Sequence, residues 1–140
     1  MIKIQRLINF KKENLLIFFK DFCILAMIIL LVDAFFLKMI SRSFGKMIKE
    51  IQGSKMELRW NYAMVAYFLI IIQIYFLLVK SNRPLNLAFL LGATTYGIFD
   101  FTSMAILKNY KLNIALMDMF WGGTLYYIVL MLFRKIKPLI

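Results

Sequence analysis

Histidine is absent from this chain of 140 residues, and cysteine (one), proline (two) and glycine (six) are scarce. Without histidine the chain lacks the commonest metal ligand and the usual general base near neutral pH, which excludes most hydrolase and zinc-enzyme chemistry. The lone Cys23 excludes an internal disulfide. Scarce proline and glycine exclude collagen-like and low-complexity classes. We therefore expect a protein that is not an enzyme and that carries no cofactor.

Acidic residues are also few, because seven Asp plus Glu stand against 18 Lys plus Arg, which gives a net charge of +11. Apolar residues are in large excess: they make up 63% of the chain, and the mean hydropathy is +0.78. A soluble domain averages roughly 45–50% apolar residues, and so small a globule cannot bury the surplus. The sequence therefore predicts a protein that lies in a lipid bilayer.

Four windows are apolar enough to cross a hydrocarbon core about 30 Å thick, which takes roughly 20 helical residues. They are residues 22–40, 60–79, 87–107 and 114–133, within a single membrane domain of residues 1–140. None of them alternates between apolar and polar residues as a membrane strand does. The connections at 80–86 and 108–113 are short, so the spans they join should be antiparallel neighbours.

The segments outside these windows carry basic residues among apolar ones. Residues 1–19 contain Lys and Arg beside Ile and Leu, which predicts a basic interfacial segment or an extension of the first helix. Between the first two spans, Phe44, Met47 and Ile51 recur near the helical period, which predicts a surface helix that ends at Gly53. The expected fold is an all-α integral membrane bundle of four transmembrane helices with these two additions.

The positive charge has a simpler explanation than nucleic-acid binding. Basic residues at the ends of spans attract anionic headgroups and set the orientation of a membrane protein, so we expect lipid and not nucleic acid as the partner. Ten of the basic residues lie on the face with both termini and eight on the other. This difference favours a multi-pass protein with both termini in the cytoplasm.

Three carboxylates interrupt the apolar windows: Asp33, Asp100 and Asp118. An ionised Asp at the centre of a membrane helix costs roughly 2.5–3.5 kcal/mol, so three of them require an explanation. At about 1.5 Å per residue, Asp33 and Asp100 lie roughly 10 Å, and Asp118 about 6 Å, from the same end of the bundle. We expect the three side chains to face inward at one level.

Helical spacing predicts which residues accompany these carboxylates. The third and fourth spans should contribute hydroxyl and indole donors to an intramembrane polar cluster, together with small residues that let the helices approach closely. The expected donors beside the three Asp residues are Tyr96, Thr102, Ser103 and Trp121, and the expected packing residues are Ala93, Gly97, Gly122 and Gly123. On the second span we expect Tyr62, Ala66 and Gln73 to share the inner side.

Such a cluster has three chemical interpretations. Like charges a few ångströms apart in a low dielectric cannot all ionise, so one carboxyl should hold a proton unless a cation joins them. A shared proton would serve a relay, whereas an all-oxygen site would suit Ca²⁺ or Mg²⁺. Alternatively, the carboxyls hydrogen-bond neighbouring side chains and only lock the bundle together. The sequence does not decide whether a metal binds.

Three runs that contain these carboxylates resemble the signatures of an uncharacterised family of small predicted membrane proteins, found mainly in bacteria. They are Leu-Val-Asp-Ala-Phe-Phe-Leu at 31–37, Tyr-Gly-Ile-Phe-Asp-Phe-Thr-Ser at 96–103 and Met-Asp-Met-Phe-Trp-Gly at 117–122. Phe36 stands where the family usually has Trp, and Ser103 where it usually has Asn. The resemblance covers about residues 20–133 and implies a four-helix membrane protein without an established activity. Similar proteins in large DNA viruses add a virion-membrane component to the alternatives.

Two functions follow from these observations. The first is a multi-pass membrane protein whose carboxylate cluster binds a proton or cation, with small-scale transport as its activity. The second is a structural or assembly component of a membrane, including a virion inner membrane, that contacts lipid or a partner protein. Such a partner would be a second copy of the chain or another membrane or capsid protein. An enzyme that acts on lipid ranks third.

Overall fold

The computed structural model describes the backbone of residues 2–139 and the side chains of residues 11–139. Over that part of the chain the regular structure is entirely helical, which confirms the expected all-α class. The four long helices are α1 (Ile2–Gln52), α2 (Trp60–Ile74), α3 (Leu85–Ile106) and α4 (Leu112–Ile136). A π-helical turn at Tyr75–Val79 extends α2, and a 3₁₀ turn at Lys137–Leu139 extends α4. All four are long and apolar enough to cross a membrane.

Helix α1 is far longer than a bilayer requires. Its 51 residues correspond to about 77 Å of helix, whereas the hydrocarbon core is about 30 Å thick. The basic N-terminal segment belongs to this helix from Ile2 onward, and the side chains of residues 1–10 lie outside the described residues. The first span therefore has helical extensions at both of its ends.

The expected surface helix between the first two spans is the C-terminal part of α1 and not a separate element. No proline interrupts the chain there, and the apolar period runs on without a break, so one helix face buries Phe36, Ile40 and Met47 in succession. Met47 is fully buried, and its sulfur accepts a hydrogen bond from the backbone N–H of Lys111 at 3.3 Å. This part of α1 thus packs on the connection between α3 and α4. It ends as expected at Gly53, whose φ of +76° suits a glycine.

Helices α3 and α4 pack most closely against each other, because glycines lie at their contact. At Gly92 an added Cβ atom would overlap the backbone carbonyl group of Gly122. At Gly123 it would lie 2.8 Å from the ring of Phe89, and at Gly97 it would lie 2.9 Å from the sulfur of Met119. Small residues at a membrane helix interface let two backbones approach and gain van der Waals contact. Gly97, Gly122 and Gly123 therefore lie in the interface that the sequence predicted for them.

The connections between the last three helices are short, as predicted; α3 and α4 pack along each other, whereas α2 meets α3 through the hydrogen bond between Gln73 and Thr95. At the far end of the bundle, Lys137 forms an ion pair of 2.7 Å with the buried carboxylate of Asp21. Large apolar side chains cover the outside, including Leu31 and Ile106, each with 76% of its surface exposed. An apolar exterior around a bundle with polar groups inside is the arrangement that a bilayer requires.

Candidate intramembrane carboxylate site

Asp33 ties three helices together through both of its carboxylate oxygens. The hydroxyl of Tyr67 on α2 donates to Oδ2 at 2.5 Å, and the indole N–H of Trp121 on α4 donates to Oδ1 at 2.9 Å. The Trp121 ring also stacks on Phe36, with 4.4 Å between ring centroids. Only 5% of Asp33 is exposed. Each oxygen thus has a hydrogen-bond donor, and this carboxyl group acts as a structural tie between the helices.

Asp100 on α3 is fully buried, and its two oxygens differ. The hydroxyl of Tyr110, in the connection between α3 and α4, donates to Oδ1 at 2.6 Å. Burial, and then the hydrogen bond to Asp100, raises the pKa of Tyr110 above its ordinary value, so the hydroxyl keeps its proton and stays a donor. Oδ2 has no hydrogen-bond partner among residues 11–139. A buried oxygen without a donor costs free energy, which makes this atom the exceptional one in the site.

Asp118 on α4 lies close to the carboxyl group of Asp100. Its half-buried carboxyl interacts electrostatically with Asp100 and, more weakly, with Asp33. The carboxyls of Asp100 and Asp118 are close enough for a hydrogen bond. An ionised carboxylate only accepts hydrogen bonds, so this bond forms when one of the two carries a proton. The three carboxyls thus lie near one level of the bundle, but Asp100 and Asp118 form a pair and Asp33 has other partners.

The structure distributes the remaining predicted site residues between the interior, the helix interface and the outside. Tyr96 packs its ring against Gly122 and lies within electrostatic range of Asp33 and Asp118. Ser103 donates its hydroxyl to the carbonyl of Phe99 in its own helix, at 2.8 Å, instead of to a carboxylate. Thr102 is exposed and lies outside the cluster, because two residues along a helix lead to nearly the opposite side. Ala93 is partly buried.

A second polar network lies deeper in the bundle. Gln73 on α2 donates to the hydroxyl of Thr95 on α3 at 3.0 Å and accepts a hydrogen bond from the hydroxyl of Tyr126 on α4 at 2.5 Å. Thr95 in turn donates to the carbonyl of Leu91 at 2.7 Å. The prediction that Tyr62 and Ala66 lie on the inner side of the second span is wrong, because both are exposed. Gln73 faces inward as expected, and Tyr67 faces inward in place of Tyr62 and Ala66.

Sequence reasoning missed several of these contacts. Tyr67 and Tyr110 supply the hydroxyls that bind Asp33 and Asp100, yet both are aromatic residues in a chain with 16% aromatics. Gly92 was also missed, although Ala88 stands four residues before it and the pair fits the small-xxx-small pattern of membrane helix interfaces. That pattern was the available signal for Gly92. The tyrosines had no comparable signal, because their partners lie on other helices.

Replacing Tyr126 by Phe should lower the free energy of unfolding by about 0.5–1.5 kcal/mol. The substitution removes the hydroxyl that donates to Gln73, while Gln73 keeps its bond to Thr95. Denaturant unfolding in detergent, followed by circular dichroism, measures the change. Tyr127→Phe on the exposed side of α4 is the matched control, for which we expect no change. Equal losses in the two variants would contradict a role for the buried hydroxyl.

The chemistry of this site is set by oxygen donors and by burial. Among the described residues, no group of three or more His, Cys, Asp or Glu side chains is placed to hold a metal ion. The carboxyls of Asp100 and Asp118, by contrast, lie close enough to share one proton, with the hydroxyl of Tyr110 bound to Asp100 and Tyr96 within electrostatic range of Asp118. A pair of interacting carboxyls takes up and releases its protons in two coupled steps. The site is therefore suited to holding one proton inside the bilayer.

One family model matches the chain over residues 18–132, and its description is "Predicted membrane protein (DUF2177)". The match includes all three carboxylates and the membrane-spanning part of each helix. Comparisons with curated proteins and with solved structures found no match. The resemblance to an uncharacterised family of membrane proteins is thereby confirmed. With the matched region extending over most of its length, the chain belongs to the DUF2177 family of predicted membrane proteins.

Proposed function

We propose that this membrane protein binds a proton between Asp100 and Asp118 and moves it in slow, small-scale transport, without enzymatic activity. The observation that carries the proposal is Oδ2 of Asp100, which is fully buried and has no hydrogen-bond partner among residues 11–139, in a carboxyl group that lies close to that of Asp118. A proton on either carboxyl supplies the missing hydrogen bond. Two ionised carboxyls side by side in a low dielectric repel each other, so a proton binds favourably.

Access to the pair is from one end of the bundle. Asp118 is half-buried and lies six residues after the start of α4, which is about 9 Å along the helix axis. Deeper polar groups follow in Tyr96 and in the network around Gln73. Beyond them the core is apolar, with Leu78 and Leu130 fully buried. We therefore expect protons to reach the site from the side of the connection between α3 and α4, and transport to be slow.

The test is proton flux into liposomes that contain the purified full-length chain and a pH-sensitive dye, driven by a potassium diffusion potential. Wild-type protein should acidify the lumen faster than protein-free liposomes do. Asp118→Asn and Asp100→Asn should each slow this flux at least tenfold, because an amide cannot take up and release the proton. The matched control is Glu57→Gln, the same chemical change at an exposed position between α1 and α2, and it should leave the rate unchanged.

Two outcomes would overturn the proposal: liposomes with wild-type protein that acidify no faster than empty ones, or Asn variants that transport as well as wild type. Infrared spectra of the protonated carboxyl band provide a second measurement that does not depend on flux. We expect that band to lose intensity in Asp118→Asn and to keep it in Glu57→Gln.

A structural or assembly role is the second candidate, and one observation favours it. Asp33 accepts hydrogen bonds from Tyr67 and Trp121, one on each oxygen, and so links α1, α2 and α4. If this role accounts for the carboxylates, the Asn variants at positions 100 and 118 should fail to insert or fold, and wild-type flux should equal that of empty liposomes. Gel filtration in detergent, run on the same samples, separates the two candidates.

A further inference from the structure

A cavity of about 210 Å³ opens at the end of the bundle opposite the carboxylates, between the end of α2 and the end of α4. Two cationic side chains, Arg134 and Lys137, and the amide of Asn82 line one part of it. Its apolar lining residues are Val79, which is partly exposed, and Leu130 and Phe133, which are buried. The cavity thus combines positive charge with an apolar surface. This combination complements a phospholipid near its phosphate group.

Arg134 is held in place by hydrogen bonds from one of its terminal nitrogens and has further N–H donors. One terminal nitrogen, Nη2, donates to the backbone carbonyl of Arg83 and to Oδ1 of Asn82, the latter at 3.4 Å. Within the described residues 11–139, the other N–H groups of the guanidinium make no hydrogen bond that the structure shows. A guanidinium presents five N–H donors in a rigid fork that matches phosphate geometry. This side chain is therefore fixed in place with donors left for an anion.

Among residues 11–139, the cavity lining keeps a positive charge after the ion pair of Lys137 with Asp21, which lies outside the lining, is counted. Lys137 donates to Asp21 at 2.7 Å, and these two charges offset each other. Arg134 then leaves one unbalanced positive charge, and exposed Lys80 and Arg83 in the neighbouring turn add to the positive potential. An anion is the complementary ligand.

The position of the cavity indicates which anion. Helix α2 and its π turn run from Trp60 to Val79, a span of 20 residues or about 30 Å, so Val79 lies where the hydrocarbon ends. Lipid phosphates lie just outside that level. Basic pockets between transmembrane helices at this depth bind anionic headgroups. Val79 is apolar and partly exposed at that level, so it can contact the lipid beside its phosphate.

We propose that this cavity binds the phosphate group of an anionic phospholipid, with Arg134 as its principal ligand and the partly exposed Val79 in contact with the lipid beside the phosphate. The proposal does not depend on proton binding, because it uses other residues at the other end of the bundle. Its failure would leave the proton proposal intact, and the reverse also holds.

The experiment is native mass spectrometry of the full-length chain released from detergent micelles that contain phosphatidylglycerol or phosphatidylcholine. Wild-type protein should retain phosphatidylglycerol at least tenfold more than phosphatidylcholine. Arg134→Gln should lower phosphatidylglycerol retention about tenfold, whereas Lys135→Gln should change it less than twofold. Lys135 is the matched control because it loses the same charge from the next position, which is exposed and outside the cavity.

A second variant tests the cavity without touching its charge. Val79→Phe should fill the space and lower phosphatidylglycerol retention, while gel filtration shows that the protein stays folded. Equal losses in Arg134→Gln and Lys135→Gln would overturn the proposal, because they would indicate diffuse attraction to the basic surface. Displacement of phosphatidylglycerol by an equal concentration of inorganic phosphate would overturn the lipid assignment and show a site for a free anion.

Discussion

Replacing Gly92 by Ala should lower the free energy of unfolding by about 3 kcal/mol, which is roughly a hundredfold change in the ratio of folded to unfolded protein. The added Cβ would overlap the carbonyl oxygen of Gly122 and lie 2.7 Å from the carbonyl carbon and 2.8 Å from Cγ of Tyr126. A backbone carbonyl cannot rotate away as a side chain can, so α3 and α4 must separate along their contact. Alanine gains at most about 1 kcal/mol of helix propensity over glycine, which does not offset this loss.

Two other glycines provide the controls for the Gly92 experiment. At Gly97 the added Cβ would approach the flexible end of Met119, at 2.9 Å from its sulfur, so Gly97→Ala should cost less than about 1 kcal/mol. At Gly45, on α1, nothing lies within 4 Å of an added Cβ, and Gly45→Ala should stabilise the helix by about 0.5–1 kcal/mol. Denaturant unfolding in one detergent measures all three. A Gly92 variant as stable as wild type would contradict the proposed close contact.

Most of the fold follows from hydropathy alone. Apolar windows about 20 residues long, separated by charged connections, predict the spans because the bilayer fixes the length of a helix that crosses it. The continuity of α1 from Ile2 to Gln52 does not follow in the same way. Charged and apolar residues at positions 41–52 suit a helix on a membrane surface as well as a helix that packs on a loop. What decides between them is the contact of Met47 with the backbone of Lys111, which joins parts of the chain 64 positions apart.

The depth of the carboxylate site was predictable, and so was Trp121 as one of its donors, but its other partners were not. Counting residues from the ends of the windows placed all three Asp side chains near one level, because the rise per residue of a helix is constant. Rotation about each helix axis is not fixed by that count, and rotation decides which donor faces which acceptor. Thus Ser103 binds its own helix, while Tyr67 and Tyr110 supply the bonds to Asp33 and Asp100.

The three carboxyls have two kinds of partner. Asp33 is a tie between helices, whereas Asp100 and Asp118 form a pair. Asp33 accepts one hydrogen bond on each oxygen, so its bonds are complete without a further proton. Asp100 has one oxygen with a donor and, among residues 11–139, one without, and its carboxyl group lies close to that of Asp118. In hydrocarbon, unsatisfied polar groups are costly, because no water replaces a missing partner. The tie therefore serves stability, and the pair is where we propose that a proton binds and is released.

Asp33→Leu should destabilise the protein by roughly 2–5 kcal/mol, since it leaves the hydroxyl of Tyr67 and the indole N–H of Trp121 without an acceptor. Asp33→Asn should cost less than about 1 kcal/mol. The amide oxygen can still accept from Trp121, and the amide nitrogen can donate to the oxygen of Tyr67 once that hydroxyl turns. Denaturant unfolding gives both values, and Trp121 fluorescence, in a Trp60→Phe background, reports on the indole contact.

The same pair of variants separates the tie from the proton site. Asp33→Asn should transport protons at the wild-type rate, because it keeps both hydrogen bonds and Asp33 holds no transported proton. Asp118→Asn should fold as well as wild type and lose the flux. Its amide can donate a hydrogen bond to Asp100 as a protonated carboxyl does, but it cannot release the proton. Asp33→Asn with flux as low as that of Asp118→Asn would contradict this division and would place Asp33 on the proton's route.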